Sequence, residues 1–110
     1  MNEDQRKALQ ASIEHWRENV ERHARGEDMK KGSDYCACCV YSGGQVELTG
    51  GGDFCSECPV AQYTGEDDCY RTPYYEVIHG RVLPVEMLNW LVELEAGGNP
   101  PLLVNDPYEQ

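Results

Sequence analysis

The six cysteines of this 110-residue chain all lie between positions 36 and 69. Two pairs share one internal spacing, Cys36-x-x-Cys39 and Cys55-x-x-Cys58, and 15 residues separate the two pairs. Two residues between thiols allow a tight turn in which both sulfurs reach one ion, and two such pairs are typical of a structural zinc site. The pattern therefore predicts one closed, tetrahedral zinc ion that stabilises the fold and offers no coordination position to a substrate.

Two further cysteines exceed the four that such a site needs. Cys69 precedes a predicted helix start and could replace one of the four ligands, whereas Cys38, adjacent to Cys39, is predicted to be a small, buried or half-buried thiol. The same thiols could instead hold an iron-sulfur cluster or form three disulfides. The candidate metal ligands, four of which would bind the ion, are Cys36, Cys39, Cys55, Cys58 and Cys69.

The cellular compartment determines whether the cysteines are expected to bind metal or to form disulfides. No apolar run approaches the roughly 20 residues that cross a bilayer, and the start MNEDQRKALQ lacks the features of a signal peptide. We therefore expect a soluble protein of the cytoplasm, where thiols are kept reduced and cysteine pairs more often bind metal.

The net charge of -11 is unevenly distributed. Residues 1–31 hold seven basic and seven acidic side chains, whereas the remainder holds 13 acidic side chains and only two basic ones, Arg71 and Arg81. Such a field repels nucleic-acid phosphates and anionic lipid. It disfavours a nucleic acid or a membrane as partner and favours another protein.

The elements that must position the cysteines are predicted to be helices. Residues 1–26 form an amphipathic helix that Asn2 caps together with Gln5 and that ends at Arg25-Gly26. One apolar stripe, within an arc of about 80°, holds its core-facing side chains. These are Leu9, Ile13, Trp16, Val20 and Ala24.

Two shorter helices are predicted after the cysteines. Thr72-Pro73 would open a helix over 74–79, and Pro84 would open another over 84–96 that Gly97-Gly98 closes. The second is apolar over a wide arc, so it needs two partners. One would be the first helix, and the other would be a second subunit or the tail 100–104.

The predicted fold class is an α-rich small metal-binding domain, α+β at most. The chain forms a single domain with a helix over 1–26, a zinc-binding cysteine region over 34–70, a helical segment over 72–96 and a tail over 97–110. The alternation in Gln45–Thr49 predicts a short strand, and a hairpin there, within the cysteine region.

Several motifs follow one another along the chain: Ser12–Asn19 with its tryptophan, the Cys36-x-x-Cys39 pair, Cys55-Ser-Glu-Cys-Pro-Val-Ala, Thr64-Gly65, Cys69 and Thr72-Pro-Tyr. Together they resemble small cysteine-rich proteins encoded by bacteriophages and prophages, most of them without an assigned function. The resemblance covers about residues 9–76 and implies a phage origin, with the same five candidate ligand cysteines shared. The chain departs from the pattern by adding Cys38 and by its acidic C-terminal third.

The favoured function is non-enzymatic, because the sequence shows no nucleophile and general base at a recognisable catalytic spacing. A zinc-stabilised acidic protein, acting as a homodimer in the host cytoplasm, would bind a host or phage protein, such as a nucleic-acid-binding or defence protein. One alternative is a thiol or metal redox protein, although reactive thiols need an electropositive setting. Another is a zinc-containing nucleic-acid-binding regulator that uses the basic residues of the first helix.

Overall fold

The computed structural model describes residues 2–30, 58–65, 69 and 71–102. These residues form four helices: α1 (Glu3–Ala24), α2 (Pro59–Thr64), α3 (Tyr74–Ile78) and α4 (Pro84–Glu95). No strand occurs within these ranges, and the prediction of an α-rich domain is confirmed for them. The predicted strand over 45–49 lies outside the described residues. Across the same ranges, no helix combines the length and hydrophobicity that a bilayer-spanning segment needs.

Helix α1 begins at the capping box that the sequence predicts. The Gln5 backbone N–H donates to Asn2 Oδ1 at 2.7 Å, and the Asn2 backbone N–H donates to Gln5 Oε1 at 2.9 Å. These reciprocal bonds satisfy two donors that the first helical turn would otherwise leave without a partner. The helix ends at Arg25 and Gly26, whose φ of 77° suits glycine.

The C-terminal end of α1 carries an exposed ion pair. Arg25 donates a side-chain hydrogen bond to the Glu27 carboxylate, and this bond lowers the pKa of that carboxyl below its ordinary value. Because the pKa of Glu27 is lowered, the ion pair stabilises the fold at pH values above the ordinary carboxyl pKa. This contribution is lost as the pH falls through the lowered pKa. Both groups are fully exposed, so solvent screens the pair.

The buried face of α1 follows the predicted stripe only over its first part. Leu9, Ile13 and Trp16 are buried, but Val20 is half-buried and Ala24 is exposed. The difference arises because α4 has 12 residues, about 18 Å, and runs antiparallel to the 22 residues of α1, about 33 Å. The shorter helix leaves the last turn of α1 uncovered.

Helix α4 begins at Pro84 and ends one residue before the predicted boundary, with Gly97 at a φ of 86°. Its buried side chains pack on α1 and include Met87, Leu91 and Leu94. The C-terminal end of α4 is fixed to α1 because Arg6 Nη1 donates to the Glu95 carbonyl oxygen at 2.9 Å. Helix α1 is therefore the first of the two packing partners predicted for α4.

The tail supplies a second cover for α4, at Trp90. The Trp90 indole N–H donates to the Pro101 carbonyl oxygen at 2.8 Å, and the Tyr63 hydroxyl donates to the Pro100 carbonyl oxygen at 2.6 Å. The Tyr63 and Trp90 rings meet edge to face, with centroids 5.7 Å apart. Of the two alternatives for the second partner of α4, a second subunit or the tail, the structure shows the tail at these two prolines. Helix α4 thus packs on α1 and, through Trp90, also contacts Tyr63 of α2 and Pro101 of the tail.

A buried asparagine returns the chain to the middle of α1. The Asn19 side chain is fully buried and binds both backbone groups of Lys30, accepting from N–H at 2.9 Å and donating to the carbonyl oxygen at 3.0 Å. His15 Nε2 lies 2.9 Å from the same carbonyl oxygen. A hydrogen bond here requires the tautomer with the proton on Nε2, because a carbonyl oxygen only accepts. The two Asn19 bonds hold Lys30 against the middle of α1.

Candidate metal centre

Cys58 is the N-cap residue of α2, a helix that the sequence analysis did not predict. Pro59 occupies the first helical position, the Gln62 N–H donates to the Cys58 carbonyl oxygen at 2.9 Å, and Gly65 ends the helix at a φ of 74°. Proline at the start and glycine after the end are the signals that identified α3 and α4. The region 34–70 that the sequence analysis assigns to zinc binding therefore contains a helix over 59–64.

The Cys58 side chain belongs to the hydrophobic core. Cys58 is 4% exposed and lies in the same buried cluster as Val60 and Trp16. Helix α2 is fixed to α1, because Gln5 Nε2 donates to Gln62 Oε1 at 3.0 Å. A charged thiolate in such surroundings is stable only with a compensating charge, which a metal ion supplies. The setting suits a neutral, unreactive thiol or a structural metal ligand better than a solvent-reactive thiol.

Cys69 lies between α2 and α3 in a backbone turn that Thr72 fixes. The Thr72 hydroxyl donates to the Cys69 carbonyl oxygen at 2.8 Å and accepts from the Tyr74 N–H at 3.1 Å. Thr72 is fully buried, and Cys69 is half-buried. Thr72 thus bonds the first backbone N–H of α3, but the N-cap residue is Pro73, so the predicted helix start is wrong by one residue.

The backbone around Cys69 adopts a conformation that side chains disfavour. Cys69 has a φ of 63° and Arg71 a φ of 68°, both in the left-handed region. Each such residue costs on the order of 1 kcal/mol, so surrounding contacts must hold it there. The hydrogen bond from Thr72 to the Cys69 carbonyl oxygen holds Cys69 in this conformation. The edge-to-face contact of Tyr74 with Trp16 fixes α3 to α1. The backbone of Cys69 is consequently anchored to the helical core.

Two of the five predicted ligands, Cys58 and Cys69, are among the described residues. The other three, and the extra thiol Cys38, lie outside them, so the predicted ligand set stays a prediction. Within the described ranges, no group of three or more His, Cys, Asp or Glu side chains converges as a metal site would require. The described part of the chain supplies two anchored cysteines.

Replacing Thr72 with valine should loosen the Cys69 turn. Valine keeps the shape but leaves the buried Tyr74 N–H and Cys69 carbonyl without the hydroxyl, which should cost about 1–3 kcal/mol of unfolding free energy. Urea denaturation measures it, and Thr72→Ser, which keeps the hydroxyl, is the control. A cost for Thr72→Val no larger than for Thr72→Ser would contradict the assigned role.

Five of the six Lys and Arg side chains between residues 6 and 30 lie close to a glutamate carboxylate, and the sixth is Lys7. Arg17 lies 3.2 Å from Glu14, and Arg22 lies 3.3 Å from Glu18. Arg6, Arg25 and Lys30 also lie within 4.0 Å of a glutamate carboxylate. Each exposed pair adds little to stability, but together they leave no row of unpaired bases among these residues for a phosphate backbone.

Comparison with known proteins gives no family for this chain. No match was found among protein-family models, curated proteins or solved structures. The resemblance to phage-encoded cysteine-rich proteins therefore stays a prediction from the motifs, and the function must be inferred from the residues and their geometry.

Proposed function

We propose that this protein is a non-enzymatic, zinc-stabilised acidic phage protein that binds and modulates a host or phage protein in the host cytoplasm. The target class we favour is a nucleic-acid-binding or defence protein, whose basic surface would complement the acidic chain. One zinc ion would be held by four of the cysteines Cys36, Cys39, Cys55, Cys58 and Cys69.

The position of Cys58 is the observation that carries the proposal. Cys58 is the N-cap residue of α2 and a member of the hydrophobic core, so a zinc ion bound to its thiolate would be part of the fold. A structural zinc ion can contribute on the order of 10 kcal/mol to folding, which suits a chain whose described residues form one small core. Its role would be to hold a surface in shape.

Charge supports a protein as the partner. Arg17 and Arg22 of α1 already have glutamate partners, and residues 32–110 contain only Arg71 and Arg81 against 13 acids. Four thiolates around one zinc ion would add about two negative charges. A partner with a basic surface would therefore be attracted, whereas nucleic acid and anionic lipid would be repelled.

Affinity capture from host lysate tests the binding role. The zinc-loaded chain, immobilised at about 50 mM salt, should retain a stoichiometric protein that about 500 mM salt releases, because salt screens exposed charge pairs. A Cys58→Ser bait, which should lose its zinc, is the control and should retain much less. Recovery of no stoichiometric partner at low salt would contradict the proposed function.

A further inference from the structure

A surface groove lies between α3 and α4, with a volume of about 310 Å³. Its apolar floor consists of Pro73, Val82, Trp90 and Pro101. Trp90 is only 4% exposed and is held by its bond to the Pro101 carbonyl oxygen. Two prolines and a fixed tryptophan lose little freedom when a ligand binds, so the groove is preorganised for an apolar side chain.

The rim of this groove is acidic. Glu86 and Glu93 are exposed, lie seven residues apart on α4 and therefore share one face, about 10 Å apart along the axis. Neither forms an ion pair within the described part of the chain. The third rim carboxylate, Glu76, lies 3.2 Å from Arg81 Nη1. Within the described part of the chain, two carboxylates thus flank the apolar floor and neither is in an ion pair.

We propose that this groove is the docking surface for a basic peptide segment of the partner, an inference that rests on the proposed function. An apolar side chain of that segment would enter the floor, and Lys or Arg side chains about 10 Å apart would pair with Glu86 and Glu93. The apolar floor argues against a hydrated metal cation, and the carboxylates argue against a phosphate surface. Charge and shape together specify a basic segment with an apolar anchor.

The probe is a labelled peptide in which arginines flank a leucine–tryptophan pair. Fluorescence anisotropy at about 50 mM salt measures its affinity for the zinc-loaded full chain. The Glu86→Gln/Glu93→Gln variant should bind about tenfold more weakly, because it loses two partly exposed charge pairs. A peptide with glycines in place of leucine and tryptophan should also bind more weakly to the wild-type chain.

A matched control is available on α1. Glu14 and Glu21 are also exposed and seven residues apart, but each has an arginine partner. Glu14→Gln/Glu21→Gln changes the net charge by the same amount and should alter peptide affinity by less than about twofold. Equal weakening by both double variants would mean a non-specific charge effect and would overturn the proposal.

Other outcomes separate this inference from the proposed function. If the wild-type chain captures a partner from lysate and the Glu86→Gln/Glu93→Gln variant captures it equally well, the groove is not the docking surface, although the proposed function stands. A change from dimer to monomer in that variant, measured by native mass spectrometry, would place a second copy in the groove and also overturn the inference. Failure of the wild-type chain to capture any partner would contradict the proposed function itself.

Discussion

Cys58→Ser is expected to abolish stoichiometric zinc binding and to remove most of the folding stability that zinc supplies. A serine hydroxyl is a poor zinc ligand beside three thiolates, and a structural zinc ion contributes on the order of 10 kcal/mol of apparent free energy. We expect less than one zinc per chain by elemental analysis. The unfolding free energy in zinc-containing buffer should fall by several kcal/mol.

This substitution isolates the metal better than alanine would. Serine is a preferred N-cap residue, so it can cap α2, where Cys58 makes no side-chain capping bond. Cys38→Ser is the matched control, because it removes a thiol outside the predicted ligand set and should leave one zinc per chain. Full zinc content with unchanged stability in Cys58→Ser would exclude Cys58 as a required ligand.

The second large effect is expected at the contact of α1 with α4. Leu9 is fully buried in the cluster that contains Leu91 and Leu94. Leu9→Ala removes buried apolar surface and leaves a cavity, so it should cost about 2–5 kcal/mol of unfolding free energy. For a domain of this size the midpoint of thermal unfolding should fall by roughly 10 °C or more.

The control for this prediction is the same substitution on the surface. Leu102 is 40% exposed, and Leu102→Ala should change the unfolding free energy by no more than about 0.5 kcal/mol. Circular dichroism during urea and thermal unfolding measures both variants. Similar small costs at the two positions would contradict the placement of Leu9 in the centre of the core.

Local signals predicted the helices well. The Asn2–Gln5 capping box, the start at Pro84 and the terminal glycines act within a few residues, so they can be read without knowledge of the fold. The short α2 has the same kind of signals in Pro59 and Gly65, but they lie inside the cysteine pattern, which draws attention to metal binding instead of to a helix.

Long-range contacts could not be predicted in the same way. Asn19 is a polar residue on α1, and only the return of Lys30 to its side chain makes it a core position. The exposure of Ala24 depends on the length of α4, and the acidic groove depends on the tail carbonyl that fixes Trp90. For the candidate metal centre, the spacing of cysteines suggested ligands, but the burial of Cys58 follows from the packing of α2 on α1.

Native mass spectrometry at neutral pH, with and without a strong chelator, tests the central claim most directly. We predict a mass excess of one zinc per chain that the chelator removes together with the folded charge-state distribution, and the same spectra give the oligomeric state. A metal-free mass lower by one hydrogen for each of the six cysteines would show three disulfides. That result would contradict a zinc-stabilised fold and with it the proposed function.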